Sequence, residues 1–274
     1  MLTTTTKLFL DLLLERLDQL LKRHSSSSTS VQAKFAAFWD LDGTLIDGDI
    51  SEGCLGGPAS RVEHRVTYLG MLDQLITARL IPGYEPEARG KERLWQEYAR
   101  LRQVEGDLVA FAFLAEVLAD FSPEQHAKVE ALLAPLVANY YRPFVIAESL
   151  YLLEALSQRG VQHFVISASP HLLVTKCAGM LPIPVEQMSG IERSRRAGVL
   201  IDPLINHAEG KRQRAELLTH THGLCPVFAA GNTWNSDGAM LRFVCEQGGQ
   251  GLMITHHEAP SWAADLAICQ LRRS

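Results

Sequence analysis

Phe38-Trp39-Asp40-Leu41-Asp42-Gly43-Thr44-Leu45 is the stretch that decides the fold. The apolar run Phe35-Ala36-Ala37-Phe38-Trp39 reads as a buried strand, and Gly43-Thr44 breaks it. Asp40 and Asp42 are therefore presented where a strand gives way to a loop. In α/β sheets that carboxyl edge is where ligands bind. Two carboxylates so close repel unless a cation or protons offset them. The pattern points to a metal-assisted site more than to a solvated turn.

Three later segments also place polar groups at the ends of apolar runs. Phe164-Val165-Ile166-Ser167-Ala168-Ser169 is an apolar strand closing in hydroxyls. Gly210-Lys211 opens a helical pattern. Val227 to Ala230 is a strand that runs into the polar loop Gly231-Asn232-Thr233-Trp234-Asn235-Ser236-Asp237. With DLDGTL, these resemble, in order, the four motifs of the haloacid dehalogenase-like (HAD) phosphohydrolase superfamily, and most closely its phosphoserine phosphatase-like branch. The resemblance extends from about Val31 onward.

Strands alternating with helices indicate βαβ units and a mostly parallel sheet. The resemblance makes this a Rossmann-like α/β core with helices on both faces, plus an all-helical C1-type cap inserted after the first strand. The expected division is an N-terminal helix and Ser-rich linker over 1–30, the core over 31–46 and 143–274, and the cap over 47–142. Helices are expected at Lys7 to His24, Arg61 to Leu80, Lys91 to Phe121, Ser122 to Tyr140, Glu148 to Arg159, His171 to Met180, Gly210 to His220 and Asp237 to Gln247. Further strands are expected at Val161 to Ile166, Leu181 to Val185, Pro226 to Ala230 and Leu252 to Thr255.

A carboxylate can attack phosphorus and split one hard displacement into two easier ones. The resemblance assigns that role to Asp40, making Asp42 the general acid and base; by residue type alone Asp42 also suits a turn cap. Backbone amides at Gly43 and Thr44 would cradle phosphoryl oxygens. Ser167, with Ala168 beside it, would hold a phosphoryl oxygen, and Ser169 is the fallback. Lys211 would balance charge at the nucleophile, whereas Arg212 and Arg214 fit the exposed helix face. The implied cofactor is Mg²⁺, which prefers oxygen ligands, drawn from Asp40, the Asp42 carbonyl, Asn232 and Asp237. Asn232 stands where the family usually has Asp, removing one negative charge from the metal set. Asp237 would reach the metal directly or through water.

The implied substrate is a small phosphorylated metabolite such as phosphoserine, phosphocholine or phosphoethanolamine. Asp49 and Glu52 could pair with its amine, or be solvated loop acids. Trp95, Tyr98 and Trp234 could face a quaternary amine, or serve packing. A phosphotransferase, and a catalytically weakened HAD domain used for binding, are the alternatives. The second Asp argues against dehalogenation.

Bulk properties narrow the classes. The chain has 274 residues, 47% hydrophobic and 21% charged, with a net charge of −5 and no long basic run. Nucleic-acid binding is not expected. Five dispersed cysteines (Cys54, Cys177, Cys225, Cys245, Cys269) with no CxxC suit reduced thiols and a cytoplasmic setting. The Leu-rich segment Leu8 to Leu21 carries Asp11, Glu15, Arg16 and Asp18. It is too charged for a membrane span and lacks the apolar core of a secretory signal. Its leucines would pack on the chain's own core, or against a second copy or partner.

Overall fold

The computed structural model describes residues 2–27, 33–53, 68–196, 199–201 and 204–272. Cys54, residues 28–30 of the Ser-rich linker and the start of the helix expected from Arg61 lie outside them, while Ser25 to Ser27 of that linker continue the first helix. In chain order the elements are α1 (Thr4–Ser27), β1 (Lys34–Trp39), α2 (Met71–Thr77), α3 (Ala88–Val104), α4 (Asp107–Val117), α5 (Pro123–Leu136), α6 (Ala147–Ser157), β2 (Gln162–Pro170), α7 (His171–Lys176), β3 (Met188–Ile191), β4 (Ser194–Arg196), β5 (Val199–Ile201), α8 (Glu209–His222), β6 (Leu224–Gly231), α9 (Trp234–Glu246), β7 (Gln250–Ile254) and β8 (Ile268–Leu271).

Six strands form a sheet in the order β3-β2-β1-β6-β7-β8. β1 pairs in parallel with β2 and β6, β6 with β7, and β7 with β8. β1, at the centre, is buried from Phe35 to Trp39, as a strand covered on both faces must be. By contacts the chain divides into two compact units, residues 1–45 with 145–166 and 206–274, and residues 46–144 with 167–205.

The first unit holds α1, β1, α6, the start of β2, α8, β6, α9, β7 and β8. Ala36 and Phe38 of β1 join Phe164, Ile166 and Ala229 in one cluster with Ala215 of α8 and Met240, Leu241 and Val244 of α9. Trp39 faces away from them, its ring 5.1 Å from that of Phe228. Its indole N–H donates to His163 Nδ1 at 3.0 Å. α1 packs on α6 and β6, with Leu10, Leu13, Leu14, Leu17 and Leu21 buried. Arg159, just past the end of α6, grips Asp18 of α1 with two N–H donors, at 2.6 and 3.0 Å.

The second unit holds α2 to α5, the end of β2, α7 and β3 to β5. Ser122 and Gln125 exchange hydrogen bonds of 2.9 and 3.2 Å at the start of α5, the reciprocal cap that the sequence Ser-Pro-Glu-Gln favours. Pro135 lacks an N–H, and α5 passes just beyond it into a π turn, Val137–Tyr141. Tyr68 packs edge-on to Tyr141 and against Phe144.

Several elements differ from the sequence expectation. Lys91 to Phe121 is two helices, because Gly106 takes φ +94° between them. The helix ending at Leu80 is described only as Met71–Thr77. Leu181 to Val185 is no strand; its two prolines withhold ladder donors, and the strand forms after it at Met188–Ile191. The β4–β5 hairpin and the edge strand β8 were not expected.

Candidate active site

Asp40 ends β1 while still held by the sheet: its backbone N–H donates to the Ala230 carbonyl at 2.9 Å. Its side chain is 5% exposed. The chain then turns, with the Thr44 and Leu45 amides both donating to the Leu41 carbonyl. Gly43 makes that turn at φ +75°, and a Cβ there would lie 1.9 Å from Asn232 Nδ2. Glycine is therefore required twice, by backbone angle and by the close approach of Asn232. That contact sets the loop after β6 against the loop after β1.

Lys211 comes from the first turn of α8. Ala208, just before that helix, has φ +49° and ψ −119°. A residue with a Cβ is strained there by roughly 1–3 kcal/mol. The Lys211 ammonium is buried between two carboxylates, 2.5 Å from Asp40 Oδ1 and 2.6 Å from Asp237 Oδ1. The second Asp40 oxygen accepts from the Thr44 hydroxyl at 2.8 Å. The second Asp237 oxygen accepts from the Asn232 and Thr233 amides, both at 2.9 Å, and from the Thr233 hydroxyl at 3.3 Å. Asp237 thus ties Lys211 to the loop after β6.

Asp40 and Asp237 share one ammonium, Lys211, and the Asp42 charge also acts on Asp40. Burial, then the Asp237 charge, pushes Asp40 up to about 7, with Lys211 opposing and Asp42 adding to the rise. Burial also works against ionised Asp237, but the Lys211 charge and the loop amides outweigh it and hold its pKa below the usual carboxylate value. Lys211 is held charged the same way: burial disfavours the ammonium and the two carboxylates prevail.

The first unit thus brings together Asp40, Gly43, Thr44, Lys211, Asn232 and Asp237, with Asp42 in the same loop. Ser167 and Ala168 lie on β2 in the second unit, beyond Val165, the last residue of β2 paired to β1. Ser167 is fully buried and its hydroxyl accepts from the Ser169 amide at 3.0 Å. Asp49 and Glu52 also belong to the second unit. One Asp49 oxygen accepts from the Ser51 and Glu52 amides, at 2.7 and 2.8 Å. Glu52 is buried, and after burial itself the Glu52 and Asp49 charges help raise the Tyr98 hydroxyl pKa. The Trp95 indole donates to Asp73, and Trp234 packs on Trp262.

The sequence reading missed two groups. Arg214 is not on the open helix face but donates to buried Asn206 at 3.1 Å. Ser149 of α6, 0% exposed, donates to the Thr44 carbonyl at 2.5 Å. Only the apolar residues around Ser149 hinted that its hydroxyl would be buried.

The family model for haloacid dehalogenase-like hydrolases matches residues 37–242, a span that contains every residue of this cluster. The chain belongs to this family. No curated protein matches it in sequence. Among solved structures, this HAD chain is similar to a protein of unknown function from Bordetella pertussis Tohama I, at TM-score 0.57 and 16% identity over 81% of this chain and 90% of that one. It is also similar to a functionally unknown protein from Anaerococcus prevotii DSM 20548, at TM-score 0.51 and 14% identity over 90% and 85%. A third is cytosolic 5'-nucleotidase IIIB bound to cytidine, at TM-score 0.51 and 12% identity over 88% and 78%. At these identities the likeness establishes the fold.

The donor set of this HAD chain fits a hard divalent cation. Among the described residues no cluster of three or more His, Cys, Asp or Glu is arranged to hold a metal, and the Asp40 and Asp237 oxygens all accept from protein donors while keeping further lone pairs. The oxygens at hand are the Asp40 carboxylate, the Asp42 carbonyl, the Asn232 amide oxygen and the Asp237 carboxylate. That is a short all-oxygen set of the kind Mg²⁺ completes with water. Two buried carboxylates sharing one ammonium favour a further cation there.

Proposed function

We propose that the protein is a Mg²⁺-dependent phosphomonoester hydrolase that works through an aspartyl-phosphate at Asp40. The observation carrying this reading is the Asp40 carboxylate at a strand end, one oxygen held by Lys211 and the other by Thr44. Those bonds fix the carboxylate's orientation while leaving lone pairs for attack. The phosphoryl group would be held by the loop amides at Gly43 and Thr44, by Lys211, and by Ser167 and Ala168. An Asp40 oxygen displaces the substrate alkoxide, and Asp42 gives that leaving oxygen a proton. Asp42 then takes a proton from water, which attacks phosphorus, breaks the acyl phosphate and returns Asp40 with free phosphate. Mg²⁺, held by Asp40, the Asp42 carbonyl, Asn232 and, directly or through water, Asp237, would supply charge neutralisation at the phosphoryl oxygens.

The substrate is a small phosphorylated metabolite, and the motif resemblance favours an amine-bearing one, with Asp49 and Glu52 as its partners. The insert over 47–142 is the proposed cap. The cytoplasm is the proposed site of action; among the described residues no helix is long and apolar enough to cross a membrane. Leu8 and Leu12, on the outward side of α1 and 61% and 50% exposed, are the residues through which α1 would meet a second copy or partner.

The test is phosphate release from p-nitrophenyl phosphate with and without Mg²⁺, for wild type and Asp40→Asn. Turnover that needs both the metal and Asp40 supports the reading, and none above the variant ends it. Phosphoserine, phosphocholine and phosphoethanolamine then rank the substrates.

A further inference from the structure

Asp40 must present one oxygen to phosphorus in a fixed direction. The only neutral side chain bonded to its carboxylate is Thr44 among the described residues. That hydroxyl is useful only while the Thr44 backbone stays in place; besides the loop's own bond from the Thr44 amide to the Leu41 carbonyl, the ties on that backbone come from outside the four motifs. The first turn of α6 grips two successive carbonyls of the loop. The Ile146 amide donates to the Leu45 carbonyl at 2.9 Å. The Ser149 hydroxyl donates to the Thr44 carbonyl at 2.5 Å.

We infer that Ser149 is a positioning residue for the nucleophile, acting through the Thr44 backbone to aim the Thr44 hydroxyl at Asp40. The inference rests on the proposed role of Asp40. Ser149, Thr44 and Asp40 are 0%, 0% and 4% exposed, so no water stands ready to replace a lost bond. The side chain lies at the third position of α6, where a serine hydroxyl more often serves its own helix end. Here it serves a loop far away in sequence. A loop freed of this tie lets the carboxylate rotate about its remaining bond to Lys211. A small misplacement of a reacting group costs up to about a hundredfold in rate; the loss of one supporting bond is expected to cost about tenfold.

The test is a double-mutant cycle between Ser149→Ala and Thr44→Val, with Ser149→Thr as the conservative variant that keeps the hydroxyl. Ser149→Ala should lower kcat about tenfold with KM within about twofold of wild type. In the Thr44→Val background it should lower kcat no further, because the hydroxyl it aims is gone. Melting temperature is followed in parallel, and Ser149→Thr should recover most of the lost kcat. Hydrogen exchange of the amides from 41 to 45 gives a readout independent of turnover, and Ser149→Ala should speed it at Thr44 and Leu45. Equal kcat losses in the two backgrounds, or unchanged kcat with unchanged loop exchange, overturn the inference. A wild-type protein with no turnover overturns the aspartyl-phosphate reading instead, and loop exchange then decides by itself whether Ser149 holds the loop.

Discussion

Replacing Lys211 with methionine keeps the volume of the side chain and removes the only cation touching Asp40 and Asp237 among the described residues. At an effective dielectric of about 20, each contact near 2.6 Å is worth roughly 6 kcal/mol of Coulomb attraction. Removing the ammonium also recovers several kcal/mol of its own burial cost, so the net loss is about 3–5 kcal/mol. For a chain of this size that lowers the melting temperature by roughly 6–20 °C at pH 8. The loss depends on pH with a definite sign. Burial already raises Asp40 and opposes ionised Asp237; without the ammonium to offset it, both carboxylates are expected to titrate above their ordinary value of 3.8. The folded state then binds more protons than the unfolded chain, so stability rises as pH falls toward that value. Melting curves of wild type and Lys211→Met from pH 5 to 8 should therefore converge at the acid end. Adding Asp237→Asn should restore much of the stability at pH 8. A melting difference that is the same at pH 5 and pH 8, or no difference at all, would refute the charge accounting.

Three other outcomes follow from the geometry. Burial pushes the His163 imidazole down to about 4 from 6.5, so it is neutral in the fold; its contribution of roughly 3 kcal/mol is fully present above pH 6.5 and lost as pH falls toward 4, and urea unfolding should show wild type losing that margin over His163→Gln between pH 7 and 4.5. Gly43→Ala meets both the left-handed angle and the Asn232 amide, so stability should fall by roughly 1–2 kcal/mol while Mg²⁺ affinity, read by titration calorimetry, falls as Asn232 is displaced. Ala208→Gly should relieve strain ahead of Lys211 and raise stability by roughly 1 kcal/mol in denaturant unfolding, an unchanged midpoint arguing against strain at that residue.

The parallel α/β core was legible in the sequence, and so were the residues that meet beyond β1. Asp40, Lys211 and Asp237 are polar residues at the ends of strongly patterned elements, so their types and places both stood out. β8 did not, because Ile-Cys-Gln-Leu has no alternation and becomes a strand only through its register with β7. The helix break at Gly106 was written in the sequence, yet apolar residues at Leu101, Val104 and Leu108 carried the helical period across it. Ser149 was invisible for a different reason. Nothing in a helix sequence says which distant carbonyl a buried hydroxyl will find.

The order of strands in the sheet has a consequence for biosynthesis. β1 leaves the ribosome well before its two partners, β2, paired from Gln162, and β6, paired from Leu224. Such long-range pairings close slowly. The strand that leads into Asp40 must therefore wait, apolar and unpaired, at least until Gln162 to Val165 has been made. A nascent chain stalled before residue 224 could neither complete that sheet nor seat Lys211 and Asp237. It should depend on chaperones for as long as Phe35 to Trp39 stays exposed.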